Sequence, residues 1–401
     1  MTDKEKIELI RQAMPAVRNK IYLNSGSVGP LSTITSQVIT HSVETELNEG
    51  RADVNGFLQF MTDKAALRQA FADLVGAAAE EIALTHHTTD GVNIIAHGLS
   101  WQPGDEIITT NCEHPGGLLP LYVLRQRHGV VVKVIDLLSD GASAVDRIAA
   151  AITPRTRLIA LSHVLWNTGD CLPVADIAAL AHQHNVLLLA DGAQGAGVVP
   201  LNLPKMDVDF YTISGQKWLC GPEGVGALYI RREHLNIISP TYVGFASMDY
   251  EAQHDWTGYY MPQKDARRYE IGTTVNRPAI KAMVANLKWL QETVGWAWIH
   301  RRINQVARYA HQKLTTTPGI TFVSPSTPET SLLVFKLDGY DPARVVVKLA
   351  EDNVVLRYVS HPYALRIATG FFNTEADIDG LIAALRRIQD LDAESLPVYK
   401  R

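Results

Sequence analysis

Lys217 and Asp191 are the residues of this 401-residue sequence best placed to do chemistry. From Leu187 the chain reads LLLADGAQGAG, then DFYTIS, then GQKWLCGPEGVG. Asp191 closes the unbroken apolar run Val186–Ala190. In open α/β sheets, ligands bind beyond the carboxyl ends of such strands. Lys217 follows a second strand end, Ser214, inside a Gly-rich turn. Each residue alone has a plainer reading. An aspartate after a strand forms a turn or caps a helix, and a lysine in a glycine-rich turn is usually solvated. Their combination with the groups below is more specific.

A pyridoxal 5'-phosphate enzyme requires such a combination. It needs a lysine amine to form the Schiff base and then to move the proton at Cα. It needs a carboxylate against the pyridine nitrogen and a helix N-terminus with hydroxyls for the phosphate. A ring packs on the cofactor face, and a cation grips the substrate carboxylate. The sequence has a candidate for each role and calls for no metal.

Six stretches carry a resemblance: TNCEHPGG, LSHVLWNTG, LLADGAQGAG, SGQKWLCGPEGVGALYI, SPTYVGF and RYEIGTT. Over roughly residues 20 to 385 the chain resembles the class V aminotransferase family, in its cysteine-desulfurase-like branch of fold-type I enzymes. It is nearest the C–S lyases there, and next the isopenicillin N epimerase-like proteins. The resemblance implies that Lys217 is the Schiff-base lysine, that Asp191 pairs with the pyridine nitrogen and that His114 stacks on the ring. It implies that Gln194 bonds near the 3-hydroxyl. Thr89, Asp90 and Ser214 would cradle the phosphate, and Thr273 would reach across a dimer to the neighbour's phosphate. Asn167 would lie near the substrate carboxylate, with Arg366 binding that carboxylate and Arg357 a second arginine beside it. Asn24 and Ser25 would line the substrate side. Gln216 departs from the family, which usually has His before the lysine; its amide can still donate to a phosphate.

Plainer roles stand beside these. His114 could cap the Gly116–Gly117 turn, and Thr89 and Asp90 suit any helix start. Arg366 could pair with Glu375 or Asp377, Arg357 could be a surface residue, and Trp166 could be pocket wall or core.

Four reactions compete on this scaffold. A persulfide-forming desulfurase needs a cysteine on a small-domain loop before the carboxylate arginine. Here that stretch is Tyr358–Pro362, and the three cysteines are Cys112, Cys171 and Cys220. All three read as small buried fillers. A β-eliminating C–S lyase needs no such cysteine and is the first expectation: cysteine, cystine or an S-substituted cysteine would give pyruvate, ammonia and a thiol, sulfide or persulfide. A transaminase or an epimerase would use the same site.

The elements that must position these groups follow from pattern. Strand and helix alternate from about residue 80: Glu81–Thr85, Glu106–Thr110, Val131–Leu137, Arg157–Ser162, Val186–Asp191, Asp209–Ser214 and Gly226–Ile230 read as strands. Continuous apolar strands are buried on both faces, which predicts a mostly parallel sheet covered by helices. The fold class is therefore α/β with a smaller C-terminal α+β domain. Expected divisions are an N-terminal helix within 1–20 packing on the small domain, a cofactor-binding domain at 21–284 and the small domain at 285–401. Lys4–Val17 reads as one amphipathic helix, and a long helical region runs from Pro278 through Ala307. Residues 240–275 read as an ordered substrate-side or interface loop.

Composition bounds the rest. Net charge is −5, with 46% hydrophobic and 20% charged residues, as in ordinary globular chains. That leaves no basic stripe for nucleic acid and no span for a membrane. Three cysteines make no disulfide framework, so a cytoplasmic setting is expected, with no leader segment. The expected partners are a small amino-acid substrate and a second copy of the chain in a homodimer with shared sites.

Overall fold

The strand Leu187–Asp191 lies at the centre of a seven-stranded sheet, and only Leu187 at its start is less than fully buried. The computed structural model describes residues 2–139, 141–249, 251–252, 255, 257–272, 275–325 and 327–398. In spatial order the strands are Ile82–Thr85, Gly226–Ile230, Phe210–Ser214, Leu187–Asp191, Thr156–Ser162, Glu106–Thr110 and Val131–Ile135. Gly226–Ile230 runs antiparallel to both neighbours, and the remaining pairings are parallel. Two apolar clusters, one on each face, complete the core. One gathers Phe71, Ile159, Leu188 and Tyr211; the other gathers Val92, Leu158, Leu189 and Phe210. Leu188 and Leu189 pack into opposite clusters because successive strand residues point to opposite faces.

A second, four-stranded antiparallel sheet has the order Arg357–Ser360, Tyr363–Ala368, Leu332–Leu337 and Ile320–Phe322. The helices Trp296–Thr315, Pro342–Glu351 and Glu375–Gln389 supply much of its own apolar cluster. The α/β class with a smaller C-terminal α+β part is as expected.

Three local expectations change. The N-terminal helix breaks into Asp3–Ala13 and Ala16–Asn19 at Pro15, which has no backbone N–H to continue the ladder. The long helical region divides into Arg277–Lys288, a π-helical turn Trp289–Val294 and Trp296–Thr315, with Gly295 at φ 82° between the last two. Two helices not anticipated, Thr33–Glu49 and Val54–Val75, are capped by Ser32 and Asp53.

The N-terminal helix lies against the C-terminal part of the chain. Ile10, Met14 and Val17 share a cluster with Trp298, Ile299, Phe371 and Phe372, and Arg11 pairs with Asp377 at 2.8 Å. Ile21–Tyr22 then forms a parallel pair with Val354–Val355, and Asn24 bridges to Ala368. Residues 24–29 turn from there into the large sheet's carboxyl edge, where Gly29 N–H donates to the Gln216 carbonyl at 2.7 Å. No described helix is long and apolar enough to cross a membrane.

Candidate active site

Asp191, Lys217, His114, Gln194, Thr89 and Trp166 meet at the carboxyl edge of the large sheet. They line a cavity holding about 310 Å³ of empty space, with Thr88, Ser162 and Ala193. Asp191 is held from below: its Oδ1 accepts from Ala193 N–H at 2.8 Å and the Thr212 hydroxyl at 3.2 Å. Oδ2 has no hydrogen-bond partner among the described residues, although the side chain is only 8% exposed. A carboxylate tethered through one oxygen and open at the other suits a cationic ring nitrogen.

Lys217 is half-buried with no hydrogen bond from its amine among the described residues. Burial pushes its amine down to about 8, and Arg366 and Arg357 add to this while Asp191 opposes it. About a tenth of such an amine is neutral at pH 7, the form that attacks carbonyl carbon.

His114 takes the capping role the sequence allowed. Its Nδ1 accepts from Gly116 N–H at 3.1 Å as the N-cap of helix Pro115–His128, and its ring meets Trp166 edge-on at 5.3 Å. Burial first, then Lys217, lowers the imidazole's pKa below its ordinary value, which favours the neutral ring.

The helix Thr88–Gly98 points its N-terminus at the cavity. It sits close because Gly91 has no side chain: a Cβ there would come 2.6 Å from Thr212. Asp90 stands apart from Thr89. Its carboxylate bonds His86 N–H at 3.0 Å and the His86 ring at 2.8 Å, and its own N–H donates to the His87 carbonyl. Asp90 therefore secures the helix start rather than facing the cavity. The Ser214 hydroxyl bonds Gln216 Oε1 at 2.9 Å, which leaves the Gln216 amide nitrogen able to donate outward. Gln194 is clamped between the Trp218 indole at 2.8 Å and the Gly26 carbonyl at 2.9 Å. Thr273 lies outside the described residues.

The arginines arrive from the small sheet. Arg366 is 1% exposed and donates to the Trp166 carbonyl at 3.0 Å and to Ser27 Oγ at 3.2 Å, while its Nε has no partner among the described residues. Glu375 and Asp377, its plainer partners, pair instead with Arg302 and Arg11. Arg357 lies over the Trp166 ring at 5.6 Å and reaches Ser27 Oγ at 3.3 Å. Burial and Arg357 push the Arg366 guanidinium down to about 9. Asn167 Nδ2 donates to the His361 carbonyl at 2.8 Å, and its Oδ1 is buried without a partner among the described residues. Asn24 Oδ1 accepts from the Ser27 hydroxyl, and the Ser25 hydroxyl is buried with no partner among the described residues.

Sequence reading passed over two residues here. Glu113 is half-buried beside the site, bonded at 2.6 Å to both the Thr110 and Ser162 hydroxyls. Ser27 touches both arginines. Glu113 stands beside His114, already singled out, three residues past the end of the buried strand Glu106–Thr110; nothing local marks Ser27.

An amine and a carboxylate facing one cavity, beside a helix N-terminus and two arginines, suit an amino acid and an anionic aromatic cofactor. The chain belongs to the class-V aminotransferase family, whose model matches residues 30–381. Two solved structures of C-DES are similar to it. One, described as a complex of the cystine C–S lyase with its reaction product cysteine persulfide, is 33% identical over 93% of this chain and 98% of that one, with a TM-score of 0.88. The other, a lysine-to-alanine variant with glycine covalently linked to the PLP cofactor, is 32% identical over 94% and 98%, with a TM-score of 0.89. The cysteine desulfurase CsdA of Escherichia coli is 32% identical over 81% of this chain and 83% of its own length. The chain spans about half the length of one curated relative, a probable cysteine desulfurase of Mycolicibacterium paratuberculosis, 29% identical.

Proposed function

We propose that this protein is a pyridoxal-phosphate-dependent C–S lyase acting on cysteine, cystine or a related S-substituted cysteine. C–S chemistry of this kind belongs to the similar C-DES structures. The residues present fit the cofactor: a tethered carboxylate with one open oxygen, an unpaired amine and a glycine-spaced helix N-terminus converge on one cavity. When bound, the cofactor supplies an electron sink for the substrate's Cα.

The chain's own groups do the rest. Lys217 holds the cofactor by its amine and moves the proton at the substrate Cα. Asp191 keeps the cofactor nitrogen protonated. Thr89, Ser214 and Gln216 receive the phosphate, with Thr273 of a second copy. His114 packs on the ring and Gln194 holds its 3-hydroxyl side. Arg366 and Arg357 bind the substrate carboxylate, beside Asn167 and Asn24.

The observation that favours elimination over persulfide transfer is where the thiols lie. Asn167 brings the His361 loop against the site, and that loop has no cysteine. Burial holds Cys112 at about 12 and Cys171 at about 11, and raises Cys220 further. Thiols so far from ionisation are poor nucleophiles.

Exposed Tyr242, Phe245, Tyr259, Tyr260 and Ile271 cluster on the 240–275 loop and support the homodimer reading. We retain the division into 1–20, 21–284 and 285–401 as a proposal. The three unpaired cysteines support a cytoplasmic setting.

Product analysis tests the reading. Holoenzyme with cysteine, then cystine, and no keto acid should release pyruvate and ammonia in equal amounts. Alanine with a protein-bound persulfide, or product only after a keto acid is added, would overturn it.

A further inference from the structure

Ser27 sits where two cations converge. Its Oγ receives one N–H from Arg366 at 3.2 Å and one from Arg357 at 3.3 Å. Its own proton goes to Asn24 Oδ1 at 2.9 Å. A hydroxyl has one proton and two lone pairs. With the proton fixed on Asn24, both lone pairs are turned toward the guanidinium groups. The turn that carries the hydroxyl is itself fixed. Ser27 N–H donates to the Asn24 carbonyl at 3.0 Å, and a Cβ on Gly26 would come within 3.1 Å of Arg366 and 3.0 Å of Gln194.

No described carboxylate lies within 4.0 Å of the Arg366 guanidinium. Two like charges on paired residues of adjacent strands repel, and Ser27 Oγ is an acceptor that both of them reach. A neutral hydroxyl holds them weakly: both contacts are longer than the usual 2.9–3.0 Å of N–H···O bonds. A carboxylate would bind the same donors more tightly, because the bonds become charge-assisted.

We propose that Ser27, oriented by Asn24, is a positioning residue that holds Arg357 and Arg366 as one clamp and yields that place to a single substrate carboxylate. This rests on the assignment of the arginine pair to substrate binding. It gives Asn24 an indirect role, through Ser27, in place of direct contact with substrate.

Three variants test it. Ser27→Ala should raise KM for the amino acid about tenfold, the usual scale for a lost hydrogen bond to a charged group, with kcat within about twofold. Ser27→Thr should recover most of that affinity. Ser27→Asp puts a carboxylate in place permanently. It should melt several degrees higher, load cofactor normally by absorbance and lose substrate affinity by more than about a hundredfold. Binding of propionate, followed by thermal shift, needs the clamp but no turnover. It should weaken in Ser27→Ala and vanish in Ser27→Asp. An unchanged KM and propionate affinity in Ser27→Ala, or normal substrate binding by Ser27→Asp, would overturn the proposal. If propionate behaves as stated while no C–S cleavage occurs, the clamp stands and the assigned reaction falls.

Discussion

Arg357 and Arg366 are direct cross-strand partners, two cations in register on adjacent antiparallel strands of the small sheet. Like charges directly opposite destabilise a sheet. A bound anion between them would offset that repulsion. Arg357→Gln should therefore raise the melting temperature of the free protein by a few degrees while lowering kcat/KM about tenfold. Arg366→Gln, at the more buried position, should lower kcat/KM by about a hundredfold or more. Melting curves and steady-state rates on the same preparations check the opposed directions.

Cofactor capture should follow the ionisation of Lys217. Its amine is held down to about 8 by burial, and only the neutral amine attacks an aldehyde. The rate of chromophore growth on reconstituting apoprotein should rise with pH and level off above about 8. Lys217→Arg should form no borohydride-stable adduct. A rate that still climbs steeply at pH 10 would contradict the assignment.

Glu113 should report on pH through stability. Burial raises its carboxyl to about 7, against the hydrogen bonds from Ser162 and Thr110. A raised acid in the folded state favours folding most below the unfolded value, and that contribution is lost as pH rises through the folded value. Stability should thus fall between about pH 4.5 and 7 by as much as about 3 kcal/mol from this group. Glu113→Gln should flatten that slope. Urea titrations of both proteins at several pH values measure it.

Gly29 should tolerate no side chain. A Cβ there would come 2.2 Å from the Lys217 carbonyl oxygen. Gly29→Ala must displace either the turn or the lysine, and it should reduce cofactor occupancy, read from the absorbance ratio of the purified protein.

The large sheet was legible because its strands announce themselves: Ile107–Ile108 and Leu188–Ala190 are apolar without alternation. The helices Thr33–Glu49 and Val54–Val75 were not, since their apolar residues form no clean stripe and several, including Leu47 and Val54, are exposed. At the site, groups adjacent to strand ends could be placed from motif spacing. Asp90 could not, because its side-chain direction depends on His86. Ser27 could not either, since its importance comes from an arginine 330 residues away in sequence.

That separation has a consequence for the order of events in the living chain. Residues made early find their partners late: Arg11 waits for Asp377, 366 residues on, and Ile21 for Val354. The Asn24–Gly29 turn, which touches Gln194, Gln216 and both arginines, depends on those same late arrivals for its anchor. The sheet and Lys217 can therefore assemble during synthesis, before the segment that carries both arginines has been made.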